Sequence, residues 1–180
     1  MRKDAEKQYS KMKKSTAVLK GEMQRLGKSS SKLFSGKNPS RMTENEVTEI
    51  IIRCATRVHK VLGPGLSKSA YEECLGYALS KTVLEIERQK ILQLTDEEVK
   101  PDGGYRLDFM ANNKVILQIK SRDGRDENHL SKIHDCLRLS GCKAGLLIDF
   151  NTDKITNGIK HVMNNNYRCR SLRMPTSDMQ

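Results

Sequence analysis

The stretch YRLDFMANNKVILQIK, residues 105–120, decides the architecture. Two apolar runs, Tyr105 to Met110 and Val115 to Lys120, flank Asn112-Asn113, a pair that accepts tight-turn backbone, so the segment reads as a β-hairpin. Asp108 closes the apolar part of the first strand. In the second strand, period two puts Gln118 and Lys120 on one face and Ile119 on the other. The turn can bring Asp108 beside Gln118 and Lys120. An acid on one strand beside a lysine ending its partner is the geometry that metal-dependent phosphodiester chemistry uses, with oxygen ligands holding Mg²⁺ and the lysine orienting or activating water.

Upstream of the hairpin, Thr43 and Glu46 read as a capping box, and Val47, Ile50, Ile51, Cys54, Val58, Val61 and Leu62 recur at helical spacing. Gly63-Pro64-Gly65 stops that helix, and Ala70, Tyr71, Cys74, Leu75, Ala78 and Leu79 predict a second one packed on it. Short β-like runs follow at Val83 to Gln89 and Ile91 to Leu94, with a break at Asp102-Gly103-Gly104. Downstream, a polar loop (Ser121 to Glu127) leads to a helix from about Asn128 to Ser140. Ala144 to Phe150 is a continuous apolar run, expected to be a buried strand, and Ile155 to Met163 is expected to form a last short helix. Two helices, a strand meander, a helix and a strand describe an α/β (α+β) fold, a mixed central sheet flanked by helices on both faces.

With 180 residues the chain holds one core of ordinary size, and 36% hydrophobic against 31% charged residues leaves part of it outside that core. No apolar run approaches a membrane span, and the opening MRKDAEKQYSKMKK lacks the apolar block of a secretory signal, so an intracellular, non-secreted protein is expected. Cys54, Cys74, Cys136, Cys142 and Cys169 form no C-x-x-C pair, which argues against a zinc finger and for reduced thiols, several of them in the core.

Charge divides the chain into three. Residues 1–42 hold 12 Lys+Arg against 3 Asp+Glu, residues 43–159 hold 17 against 18, and residues 160–180 hold 4 against 1. The expected organisation is a basic arm over 1–42, a folded domain over 43–163 and a basic tail over 164–180. In the arm, Lys11, Lys13, Lys14, Lys20, Arg25, Lys28, Lys32, Lys37 and Arg41 are separated by serines, Gly36 and Pro39, the makeup of a cationic segment whose natural partner is phosphate. If six to ten such charges engage a duplex, affinity falls by roughly 10³ to 10⁵ between 50 and 200 mM salt. A tail that serves only solubility is one alternative. Another is an interfacial helix with Val18, Leu19, Met23 and Leu26 on one face.

The domain resembles the GxxExxY proteins, a branch of the PD-(D/E)XK nuclease superfamily, from about Ile50 to Val162. The resemblance rests on His59-Lys60-x-Leu62-Gly63-Pro64-Gly65-Leu66, Tyr71-Glu72-Glu73, Tyr105-Arg106-Leu107-Asp108, Lys114-Val115-Ile116, Leu137-Arg138-Leu139-Ser140-Gly141 and Gly145-Leu146-Leu147-Ile148-x-Phe150. It implies an αβββαβ core, nuclease ancestry, and a distribution among bacterial and large DNA virus genomes. Two positions depart from the pattern: Lys68 stands where the name-giving glutamate is expected, and Gln118 where the second strand acid is expected. Where related nucleases often carry Gln and Tyr four apart, this chain has Lys132 and Cys136.

These departures predict a remnant site of Asp108, Gln118, Lys120 and Lys68. A Lys68–Asp108 pair at about 4 Å would be worth roughly 4 kcal/mol at an effective dielectric of 20, before desolvation. The pocket would drop from three carboxylates to one and gain a cation, so no metal cofactor is expected. The leading expectation is a DNA-binding protein, DNA favoured over RNA, with cleavage lost or strongly reduced and with Lys68 and Lys120 adding to the arm. It would be nucleic-acid-associated, in a nucleus, viral factory or virion. One alternative is a Mg²⁺- or Mn²⁺-dependent endonuclease whose ion is held by Asp108, Gln118 and the Ile119 backbone carbonyl. Another is an architectural or interaction module acting as a homodimer.

Overall fold

Helix α1 (Glu44–Leu62) starts at the capping box: the Thr43 N–H donates to Glu46 Oε2 at 2.9 Å, and the Glu46 N–H donates to Thr43 Oγ1 at 3.3 Å. Its apolar stripe buries Val47, Ile50, Ile51, Cys54 and Val58. It ends at Gly63, whose φ of 66° lies in the left-handed region that favours glycine. Helix α2 (Lys68–Leu79) is capped by the Ser67 hydroxyl and buries Tyr71, Cys74, Leu75, Ala78 and Leu79. Tyr71 ties the linker between them: its hydroxyl donates to the Gly63 carbonyl at 2.8 Å and accepts from the Leu66 N–H at 3.1 Å, and its ring stacks on Phe150 at 4.5 Å. The computed structural model describes residues 17–18, 21, 38–92, 105–120 and 129–164.

The main sheet has five strands in the order β1 (Ile86–Arg88), β4 (Phe109–Ala111), β5 (Val115–Lys120), β6 (Ala144–Asp149) and β7 (Ile159–Met163). A separate ribbon pairs β2 (Ile91–Leu92) with β3 (Tyr105–Arg106). All pairings are antiparallel except β5 with β6, whose parallel connection carries helix α3 (His129–Ser140). One face of the sheet, with Phe109, Val115, Leu117, Ile119, Leu146 and Ile148, packs with the residues of α1 and α2. The opposite face, with Met110, Ile116, Leu147 and Val162, packs against Ile133, Cys136 and Leu137 of α3. This is the mixed, two-sided α+β architecture expected.

The hairpin forms as read, with Asn112 and Asn113 at φ of 51° and 52°. Three expectations change. The run from Tyr105 to Met110 is not one strand. It breaks at Leu107-Asp108, because the Gln89 N–H bonds the Asp108 carbonyl at 3.0 Å while the Leu107 N–H bonds the Lys90 carbonyl at 2.8 Å, dividing the chain between ribbon and sheet. Ile155 to Met163 is helical only over α4 (Ile155–Gly158). Gly158 ends that turn, and Ile159 pairs with Ile148, so the open edge of β6 outweighs the local helical period. Finally, the fold already includes a 3₁₀ turn at Pro39–Arg41 and a buried Met42, ahead of Thr43. The Asn112 amide donates to the Pro39 carbonyl at 2.8 Å, and Lys114 Nζ donates to the carbonyls of Ser40 and Met42.

Tyr71→Phe keeps the stack on Phe150 but strips the Leu66 N–H and the Gly63 carbonyl of their partner. It is expected to cost about 1–3 kcal/mol of stability, read from urea denaturation.

Candidate functional site

At the C-terminal end of β5 the chain turns a buried carboxylate inward. Asp108 is 4% exposed, and in water-poor surroundings its charge requires partners. It has two: Oδ2 accepts the Ile119 N–H at 2.6 Å, and Oδ1 lies 2.8 Å from Lys68 Nζ. Lys68 opens α2, reaching the sheet from the helix, and it also lies 3.6 Å from Glu72 Oε1, one turn further along. Burial raises the Glu72 carboxyl above the ordinary range, and the charge of Asp108 raises it further. Lys68 and Arg106 oppose both effects.

Glu72 continues into a chain of polar contacts. Its Oε2 accepts from Gln89 Nε2 at 2.8 Å, Gln89 Oε1 accepts from Arg106 Nε, and the Arg106 carbonyl accepts from Gln118 Nε2 at 3.3 Å. Gln89 makes these bonds from a left-handed backbone, φ 54°, an uncommon setting for a residue with a side chain. Lys120 stands beside Asp149 in the parallel register, with its Nζ 3.6 Å from Asp149 Oδ2.

The structure therefore brings Lys68 and Asp108 into direct contact and places Gln118 and Lys120 on the neighbouring strand. The sequence count of a single carboxylate needs correction, since Glu72 supplies a second. Its signal was present: it lies four residues after Lys68, on the same helix face. Asp149 could have been found as the charged end of the strand parallel to Lys120. Gln89 had no local signal. Around the centre, Lys68, Arg106 and Lys120 face Asp108, Glu72 and Asp149, three charges against three. Of the arm residues, Arg41 is exposed on the 3₁₀ turn, while Lys11, Lys13, Lys14, Lys20, Arg25, Lys28, Lys32 and Lys37 lie outside the described residues. Lys132 sits on α3, and Cys136 is fully buried there with its thiol pushed up to about 11 by burial. Cys54, Cys74, Cys136 and Cys142 are all buried, as packed thiols should be, and Cys169 lies outside the described residues.

A sheet covered on both faces by helices, with an acid and a lysine meeting at the end of its central strands, defines a nuclease-like domain. The family model of the PD-(D/E)XK nuclease superfamily matches residues 45–162, and the chain belongs to that superfamily. No curated protein and no solved structure matches it.

The superfamily implies a divalent ion, and the residues do not fit one. Both Asp108 oxygens are engaged, an ammonium lies against the carboxylate, and Gln118 directs its amide nitrogen to the Arg106 carbonyl. Among the described residues no group of three or more His, Cys, Asp or Glu side chains could hold a metal. No helix among them is long and apolar enough to cross a membrane.

Because the folded state holds the Glu72 carboxyl above its unfolded value, the native state binds more protons than the unfolded chain as pH rises from the ordinary carboxylate range, and stability is lost across that window. Glu72→Gln removes this effect. The stability of the variant relative to wild type should therefore rise with pH from about 4 upward, measured by denaturant midpoints at successive pH values.

Proposed function

We propose that this protein binds nucleic acid, DNA rather than RNA, on a nuclease scaffold of the GxxExxY branch whose cleavage is lost or strongly reduced. The observation that carries this reading is the Lys68 ammonium 2.8 Å from Asp108, where a cation tethered to the fold neutralises the carboxylate that a nuclease would give to its metal. An ammonium carries half the charge of a divalent ion and has no open coordination position at which to acidify water. The reading therefore needs no cofactor. Superfamily membership supports nucleic acid as the partner, and DNA is favoured by the resemblance of the motif block.

Grip is assigned mainly to the basic ends, with 12 Lys+Arg against 3 Asp+Glu over residues 1–42 and 3 against 1 over 164–180. Such segments bind the phosphate backbone without reading bases. A chromatin-like or viral-genome setting suits that behaviour.

The full chain should bind a fluorescent DNA duplex with affinity that falls by roughly 10³ to 10⁵ from 50 to 200 mM salt and is unchanged by EDTA, measured by anisotropy. Deleting residues 1–37, which spares the docked Pro39–Met42 segment, should flatten the salt dependence by about 0.9 in log–log slope for each phosphate that the arm had neutralised. Nicking of supercoiled plasmid in Mg²⁺ or Mn²⁺, abolished by Asp108→Ala or Lys120→Ala, would overturn the loss of cleavage.

A further inference from the structure

The three-against-three balance around Asp108 leaves that centre no excess charge to offer a phosphate. Next to it, on the α3 side of the sheet, lies a cleft of about 180 Å³ whose walls include Lys120, His129, Leu147, Asp149, Asn157 and Lys160. Its geometry follows from register: Lys160 lies beside Leu147 across the β6–β7 pair, and Lys120 lies beside Asp149 across β5–β6, so the two lysines flank one strand on the same face.

The cleft is rigidly framed. A Cβ on Gly158 would fall 2.2 Å from the Asp149 carbonyl oxygen, so the chain passes there only as glycine. The Thr152 hydroxyl lies 3.2 Å from that same oxygen, the Asn151 N–H donates to Asp149 Oδ1 at 2.9 Å, and His59 Nε2 holds the Thr152 carbonyl at 2.7 Å. With Asp149 set against Asn151 and Lys120, its charge is already answered. Lys160 has no ion pair, and the Asn157 side chain no hydrogen bond, among the described residues. Among the described residues, one ammonium without an ion pair and one amide without a hydrogen bond thus border a polar hollow.

We infer that this cleft is a phosphate subsite, taking a phosphodiester oxygen of the bound strand on Lys160 and Asn157, with Lys120 shared between the cleft and the Asp108 centre. The inference rests on the nucleic-acid reading above. Its charge favours the diester, whose single negative charge matches the single unanswered ammonium. The site lies beyond the residues that the motif block singles out, so the polymer would run past the remnant centre toward β7.

Full-length wild type, Lys160→Gln, Asn157→Ala and, as a control in the turn just after α2, Lys81→Gln are titrated with a DNA duplex at several salt concentrations, and wild type and Lys160→Gln also with inorganic phosphate. Lys160→Gln should lower the log–log salt slope by about 0.9, the equivalent of one phosphate, and Lys81→Gln should leave it unchanged. Asn157→Ala should weaken binding with the slope intact, since it removes a neutral donor. If wild type binds duplex and Lys160→Gln matches Lys81→Gln in affinity and slope, the subsite is refuted and the nucleic-acid reading stands. A Lys160-dependent affinity for inorganic phosphate without any Lys160 effect on duplex would also refute it, marking a small-anion site. If wild type binds no duplex at all, the functional reading itself fails and the subsite with it.

Discussion

A carboxylate buried at the end of a sheet has to be answered by its neighbours, and the way Asp108 is answered organises much of the structure around it. The Ile119 amide takes one oxygen and the Lys68 ammonium the other, while the Asp108 carbonyl receives the Gln89 N–H. One residue therefore joins β4, β5, the bend after β1 and the start of α2. The break between β3 and β4 belongs to the same arrangement, since a strand continuing straight through Leu107-Asp108 could not give its bonds both to the ribbon and to the sheet. Asp108 is buried but Lys68 is 39% exposed, so losing the lysine costs less than the ~3–5 kcal/mol of a fully buried pair, and the intact pair adds little net stability. Its importance is in specifying where the helix sits.

The same pair sets the chemistry. A nuclease centre presents carboxylates to an exchangeable ion, whereas here the positive charge arrives on the chain itself. Lys68 is shared between Asp108 and Glu72, Glu72 is anchored through Gln89 to Arg106, and Lys120 faces Asp149. Each of these anions is met by a cation within the fold. This self-sufficiency is the reason the proposed phosphate affinity is placed on the basic ends and on Lys160 rather than on Lys68.

Much of this was legible from residue pattern because the relevant forces are local. The Thr43–Glu46 capping box, the 3.6-residue stripe of α1 and the Asn112-Asn113 turn depend on neighbours a few positions apart, and all three are found where the pattern puts them. The Lys68–Asp108 contact spans forty positions and was reachable only because a family pattern aligned the two. The errors lie where a distant partner decides. Ile159–Met163 carries enough apolar residues for a short helix, and only the exposed edge of β6 makes it a strand. By composition Met42 belongs to a basic arm, and only the amide of Asn112 and the ammonium of Lys114 draw that segment onto the hairpin. Glu72 was hidden differently, as one of two adjacent glutamates of which the helix turns one inward and leaves Glu73 at the surface with Arg88.

The docking of Pro39–Met42 on the Asn112–Lys114 turn has a geometric corollary. Val115 is level with Ala144 in the parallel β5–β6 register, and Ala144 with Met163 in the antiparallel β6–β7 register, so Met163 reaches the hairpin rim on which Pro39 docks. Asp108 and Lys120 belong to the opposite rim, about 16 Å away along β5 at ~3.3 Å per residue. Pro39 and Met163 thus lie at the same rim. If nucleic acid binds as proposed, a polymer held both there and at the Lys120 rim would have to cross the length of the sheet, roughly five base-pair steps of a duplex at ~3.4 Å each, which would set a minimum footprint and a polarity along the strand.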